Sequence, residues 1–236
     1  MKHRIQNPFK PLAGAYLPIN DTNGKNFCYS RILEAIYYQL TAVLSHHSQV
    51  LAIRYDLHPK RHTKDNRIIR DILDKFSRWH KAGKFGKLGY VWVREQHAKP
   101  YQHYHLIVFI NGNQFQKAHT ITNKIYSILD NLGMARTTLH IPENCYQMVQ
   151  RGDYDNFAGV FERASYLAKT NTKDRKAKYT RDFSQPKIKP NTEKLPLVEQ
   201  TFTAQNYQDF IKNRTISKNT QAILDKIHAR THTDDR

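Results

Sequence analysis

Acidic residues are in short supply. Only 20 Asp and Glu stand against 38 Lys and Arg in 236 residues, leaving a formal charge of +18. That surplus exceeds what an enzyme of small anionic metabolites needs. It points first to a polyanion, either nucleic acid or an anionic membrane surface. Cysteine is nearly absent: Cys28 and Cys145 form no CxxC pair. This excludes a disulfide framework and is read as two reduced thiols. Long apolar runs are missing too. No stretch approaches the ~20 apolar residues of a spanning helix. The start MKHRIQNPFKPLAGAYLPIN is basic and lacks the roughly 7–15-residue apolar run of a signal peptide. The cytoplasm is therefore the expected compartment. No internal repeat is visible.

What is present can build one core, since 39% of residues are apolar and 11% aromatic, which excludes a wholly disordered chain. Residues 1–26 carry Pro8, Pro11, Pro18, Gly14 and Gly24 with little periodicity and read as an arm. Ile32, Ala35, Ile36, Leu40, Val43 and Leu44 predict a helix, with Ser30 as its N-cap. The runs 50–58, 89–95 and 103–111 predict strands, with weaker strand candidates at 139–141 and 146–150. Helices are expected over 68–76, 115–131 and 155–169. This order predicts an α+β fold, with a mainly antiparallel sheet of about five strands and packed helices. Residues 186–236 are expected to form a basic and polar extension with short helices.

His103 and His105 flank Tyr104 on a predicted strand, so both imidazoles project from one face. With 13 His in the chain, roughly one HxH arises by chance, so the pair needs a partner to mean anything. Glu95 ends the preceding strand, and residues 96–102 lead back to His103. If the two strands pair as a hairpin around that loop, Glu95 opposes His103 and shares its face. One carboxylate and two imidazoles then form a facial set with open positions, which suits Mn²⁺, Mg²⁺ or Zn²⁺. Such an ion can polarise a phosphodiester. The competing reading makes the histidines packing residues and pairs Glu95 with Arg94 or a lysine.

On a helical wheel over 155–169, Phe157, Val160, Phe161, Ala164, Leu167 and Ala168 form the packing stripe. Tyr166 falls on the far side, with Glu162 and Lys169 one turn away on either side. A free phenol titrates near 10 and attacks poorly at neutral pH, whereas a cation or metal beside it favours phenolate. Tyr166 with Lys169 is thus a sensible nucleophile and helper. The competing reading is an exposed Tyr beside a solvated Lys. The wheel requires the polar side of this helix to line a cleft.

Together, Glu95, His103-Tyr104-His105 and Tyr166-Leu167-Ala168-Lys169 resemble the HUH endonuclease superfamily. Their order is that of single-tyrosine rolling-circle replication initiators. The stretches VLAIRYDLH, WVREQ, HYHLIVFIN and ERASYLAKTNTK are similar to the initiator proteins of inovirus-type filamentous phages and prophages, over roughly residues 30–180. The resemblance implies an RRM-like or ferredoxin-like palm over 27–185. It implies metal ligation by Glu95, His103 and His105, with Mn²⁺ or Mg²⁺ favoured over Zn²⁺. Tyr166 would nick a replication origin through a 5′-phosphotyrosine bond, assisted by Lys169. No Walker-type GxxxxGK[ST] is found, so unwinding would fall to a host helicase, with a host polymerase as a further partner. Neither a membrane nor a small-molecule cofactor is implied.

The densest basic run, 170–190, holds seven Lys and Arg against Asp174 and Asp182. It is expected to grip single-stranded or origin DNA, with affinity falling as salt rises. Arg54, Lys173, Arg175, Lys176, Lys178 and Arg181 are the candidate DNA contacts. Asp56 and His58 could support the metal site from the end of the first long strand. Trp79, Trp92, Tyr101 and Tyr104 are candidates for stacking on unpaired bases, with core packing the favoured role for Trp92 between Val91 and Val93. The alternatives to an endonuclease are a catalytically silent DNA-binding regulator on the same fold and a basic RNA-binding module.

Overall fold

A computed structural model describes residues 4–5, 9–12, 15–20, 27–96, 101–170 and 180–194. The elements run β1 (Arg4–Ile5), β2 (Phe9–Leu12), β3 (Ala15–Pro18), β4 (Cys28–Tyr29), α1 (Ser30–His46), β5 (Gln49–Leu57), α2 (Arg67–Ala82), β6 (Gly89–Glu95), β7 (His103–Asn111), α3 (His119–Asn131), β8 (Leu139–His140), β9 (Tyr146–Gln150), α4 (Tyr154–Ser165) and β10 (Phe183–Ser184). The fold is α+β.

The main sheet has six strands in the order β10-β6-β7-β5, with both β8 and β9 lying along the free side of β5. Every pairing in it is antiparallel. The sixth strand, β10, was not expected. It is two residues long and sits in the polar, basic segment, where no alternation of apolar residues marks it.

The three central strands read as nearly continuous apolar runs because both faces of the sheet are covered. Val91, Val93, Ile107, Phe109, Val50 and Ala52 face one way and join a core with α1 and α4. Leu51, Ile53, Tyr55, Trp92, Leu106, Val108 and Ile110 face the other way, onto α2 and α3. Ile68, Ile69, Ile72, Leu73 and Phe76, three or four apart, form the buried stripe of α2. Ser30 does not cap α1. Tyr29 holds the cap position, no side chain caps it, and Ser30 is buried in the first turn.

Leu17 and Ile19, from the segment read as an arm, are buried in the core that contains α4. Residues 186–190 lie along α1: the Tyr38 hydroxyl donates to the Ile188 carbonyl (2.5 Å) and Gln39 Nε2 to that of Pro186 (2.9 Å). Among the described residues, no helix is long and apolar enough to cross a membrane.

Candidate metal centre

The hairpin of β6 and β7 pairs Glu95 with His103, the register expected from the seven-residue connection. Strand alternation then puts Glu95, His103 and His105 on the α1/α4 face, at the end of the sheet. Glu95 Oε2 lies 3.2 Å from His103 Nε2 and 3.2 Å from His105 Nε2. All three candidate ligand atoms fall within 4.8 Å of one another. The Glu95 side chain is 1% exposed, His105 7% and His103 19%, so the carboxylate is shut in and the His103 side remains open. Arg94 does not compete for Glu95. Neighbouring residues on a strand point to opposite faces, and Arg94 reaches across the α2 side to the carbonyls of Thr63 and Asp65.

Asp56 lies opposite His105 across β5 and β7. His105 Nδ1 donates to Asp56 Oδ1 at 2.6 Å, which directs Nε2 toward Glu95. Arg54, two residues earlier on the same face, closes on Asp56 at 3.2 Å. Burial alone would lower the His105 pKa, but the hydrogen bond to Asp56 and the Glu95 carboxylate beside the ring outweigh burial and raise it. Burial alone would raise the Asp56 pKa, and the His105 hydrogen bond and charge, joined by Arg54, bring it down. His58 stacks on His103, with ring centroids 5.3 Å apart and 12° between planes. Burial and the neighbouring His103 lower its pKa.

These residues fit a divalent ion. His105 Nε2 is buried and makes no hydrogen bond. A facial pair of ligands with bonds of about 2.1 Å at right angles stands about 3.0 Å apart, near the spacing seen here. One carboxylate and two imidazoles are a borderline-to-hard donor set of the kind taken by Mn²⁺, Mg²⁺ or Zn²⁺.

Tyr166 reaches this centre, by a route the helical wheel missed. α4 stops at Ser165, and Tyr166–Ala168 form a 3₁₀ turn. The tighter winding (about three residues per turn) resets the direction of the side chain. The Tyr166 ring meets His105 edge-on at 5.9 Å. The Arg54 guanidinium covers the ring at 4.8 Å. Lys169 Nζ donates to the Tyr166 hydroxyl. The turn is tied at both ends to the start of the chain. The Asn20 amide donates to Ser165 Oγ (2.7 Å), and the Thr170 amide to the Phe27 carbonyl (2.8 Å).

Arg54, a candidate DNA contact, spans Asp56 and Tyr166 inside the site. Arg181 is exposed beside Asn66, whose amide donates to its carbonyl (3.0 Å). Lys173, Arg175, Lys176 and Lys178 lie outside the described residues. Two stacking candidates are closed off: Tyr104 is fully buried and Trp92 is 6% exposed. Trp79 packs between Phe76 and Phe85, while Tyr101 stands 46% exposed. Sequence reasoning gave Asp56 only a supporting place. Its signal was the polar end of an otherwise apolar strand.

Fold and site define an α+β protein whose antiparallel sheet carries a candidate metal triad at one end, with a tyrosine and a lysine beside it. Residues 17–183 match the family model described as the YagK/YfjJ C-terminal domain, and the chain belongs to that family. No curated protein and no solved structure matches it.

Proposed function

We propose that this chain is a metal-dependent endonuclease that nicks and rejoins one strand of DNA, in the manner of the HUH enzymes its motifs resemble. The observation that carries this reading is the convergence of Glu95, His103 and His105 with a Tyr166 hydroxyl held by Lys169. Glu95, His103 and His105 would hold a divalent ion, Mn²⁺ or Mg²⁺ ahead of Zn²⁺, which when bound supplies Lewis-acid polarisation of a phosphoryl oxygen.

Tyr166 is the nucleophile. Its oxygen forms a bond to phosphorus as the bond from phosphorus to the 3′ oxygen breaks. The proton lost by the phenol is balanced by the one the departing 3′ oxygen takes up. The products are a 5′-phosphotyrosine and a free 3′-OH. The Lys169 ammonium stands at the attacking oxygen, where negative charge gathers. Arg54 fixes the ring plane from above, and Asp56 fixes the His105 ring. In the reverse sense, a 3′-OH attacks the phosphotyrosine and frees Tyr166, so rejoining needs no nucleotide. The substrate class is a replication origin of a phage or prophage element. In the cytoplasm a host polymerase would extend the exposed 3′-OH while a host helicase unwinds the duplex.

The test uses labelled oligonucleotides tiling the DNA that flanks the gene, incubated with the protein and Mn²⁺. A protein–DNA band that survives SDS is the expected result. Tyr166→Phe should abolish the band. The His103→Ala/His105→Ala double variant should lose nicking and keep DNA binding. An adduct retained by Tyr166→Phe overturns the nucleophile, and nicking at full rate by the double variant overturns the metal role. If the wild-type protein binds these strands and never cuts them, a silent DNA-binding protein is the better description.

A further inference from the structure

Between the end of β5 and the start of α2, the chain crosses the end of the sheet that carries the triad. This strap begins at His58, whose ring stacks on His103, and runs through Pro59 to Lys60-Arg61-His62-Thr63-Lys64-Asp65-Asn66-Arg67. Lys60, Arg61, His62, Lys64, Asp65 and Arg67 are all exposed. Asp65 is the one acidic residue among them, and it pairs with Arg67 at 3.2 Å. Lys60, Arg61 and Lys64 form no ion pair with any described residue.

The strap is built from beneath. The Arg94 guanidinium, 3% exposed, donates to the carbonyls of Asp65 (2.6 Å) and Thr63 (2.7 Å). Gln102, 1% exposed, donates to the Arg61 carbonyl (3.2 Å) and to Thr63 Oγ1 (3.0 Å), and accepts from the Thr63 amide (3.1 Å). The Thr180 hydroxyl donates to the Lys64 carbonyl (2.8 Å). Three successive alternate carbonyls are thus turned inward onto buried donors. An arginine buried to this depth is costly unless its donors are met, and here backbone carbonyls meet Nη1 and Nη2. The cationic side chains are left outward on a fixed support, and the strap's first residue, His58, stacks on the candidate ligand His103. A loop held this way loses little entropy when its cations meet a run of phosphates.

We propose that Lys60, Arg61 and Lys64 are a phosphate-gripping site for single-stranded DNA, holding the strand where it runs past the triad. This deepens the endonuclease reading and rests on it for the identity of the nucleic acid. Phosphates spaced along a strand suit cations spaced along a strap. The strap is also tied to Thr180, whose hydroxyl holds the Lys64 carbonyl.

The experiment compares three full-length proteins: wild type, Lys60→Ala/Arg61→Ala/Lys64→Ala, and a control with Lys81, Lys87 and Lys117 changed to alanine. All six side chains are exposed, and none makes a hydrogen bond among those described. Binding of a fluorescein-labelled 30-mer of single-stranded DNA is titrated across a range of KCl. The strap variant should bind at least about tenfold more weakly at low salt. Its slope of log affinity against log salt should be shallower by about 2, the value for three lost phosphate contacts on a single strand. The control should stay within about twofold of wild type. Equal losses in strap variant and control overturn the proposal. Tighter binding of the same sequence as RNA, lost in the strap variant, overturns DNA as the occupant. Nicking is read in a separate assay, so a protein that never cuts defeats the endonuclease reading while leaving the strap measurement intact.

Discussion

Asp56 shows how one side chain can set the quality of a candidate metal centre it does not enter. Its carboxylate accepts a hydrogen bond from His105 Nδ1 and thereby leaves Nε2 as the atom offered to an ion. Outer partners of this kind commonly contribute about 10–100-fold in metal affinity. Asp56→Ala should therefore weaken Mn²⁺ binding by about that factor in calorimetric titration, with Asp56→Asn falling between it and wild type because an amide oxygen still accepts. A variant that binds Mn²⁺ as tightly as wild type removes Asp56 from this role. The same residue marks a limit of sequence reading. Glu95 and His103 could be matched because a short loop joins their strands and sets the register. Asp56 and His105 are joined only through α2 and β6, and no local turn fixes how β5 slides against β7. Their opposition is a property of the assembled sheet.

At the scale of elements, α4 is fixed at both ends by different devices. Asp153 caps its start, accepting from the Asn156 amide at 3.0 Å. Its far end tightens into the 3₁₀ turn of Tyr166. Asp153→Ala should lower global stability by about 1 kcal/mol in urea unfolding, with little effect on Mn²⁺ binding because the triad sits on other strands. A loss of metal affinity equal to that of Asp56→Ala would show that α4 props the hairpin. The central strands and all four helices were legible from apolar spacing. The end of α4 was not, because apolar residues continue through Leu167 and Ala168 and a constant 100° step hides a change of winding. β10 was hidden for the opposite reason: two half-buried residues leave no period to detect.

For the molecule as a whole, the buried His80 links folding to pH. Its ring lies among Phe76, Trp79 and Phe85, it is 2% exposed, and Nε2 has no hydrogen-bond partner. Burial depresses its pKa from 6.5 to about 4. Above pH 6.5 the ring is neutral whether the chain is folded or not, and nothing is lost. Between 6.5 and 4 the unfolded chain takes up a proton that the fold refuses, so stability falls with pH. The contribution approaches about 3 kcal/mol by pH 4. Urea unfolding at pH 7 and 4.5 should show His80→Phe losing about 2–3 kcal/mol less than wild type over that interval. Equal losses in the two proteins would assign the acid sensitivity elsewhere. The charge surplus that opened the sequence reading is likewise a whole-molecule property, and the fold gives part of it a place: a cationic strap across the end of the sheet where the metal ligands lie.

The ties from Asn20 to Ser165 and from Phe27 to Thr170 make a splint across the turn of Tyr166. The candidate metal donors come from one hairpin, with Asp56 of the neighbouring β5 holding the His105 ring. Tyr166 takes its bearing from a stretch of chain some 140 residues upstream. Trimming the chain to begin at α1 would leave the triad whole and set the tyrosine adrift, so, on the endonuclease proposal, a shortened protein could hold an ion and still be unable to aim.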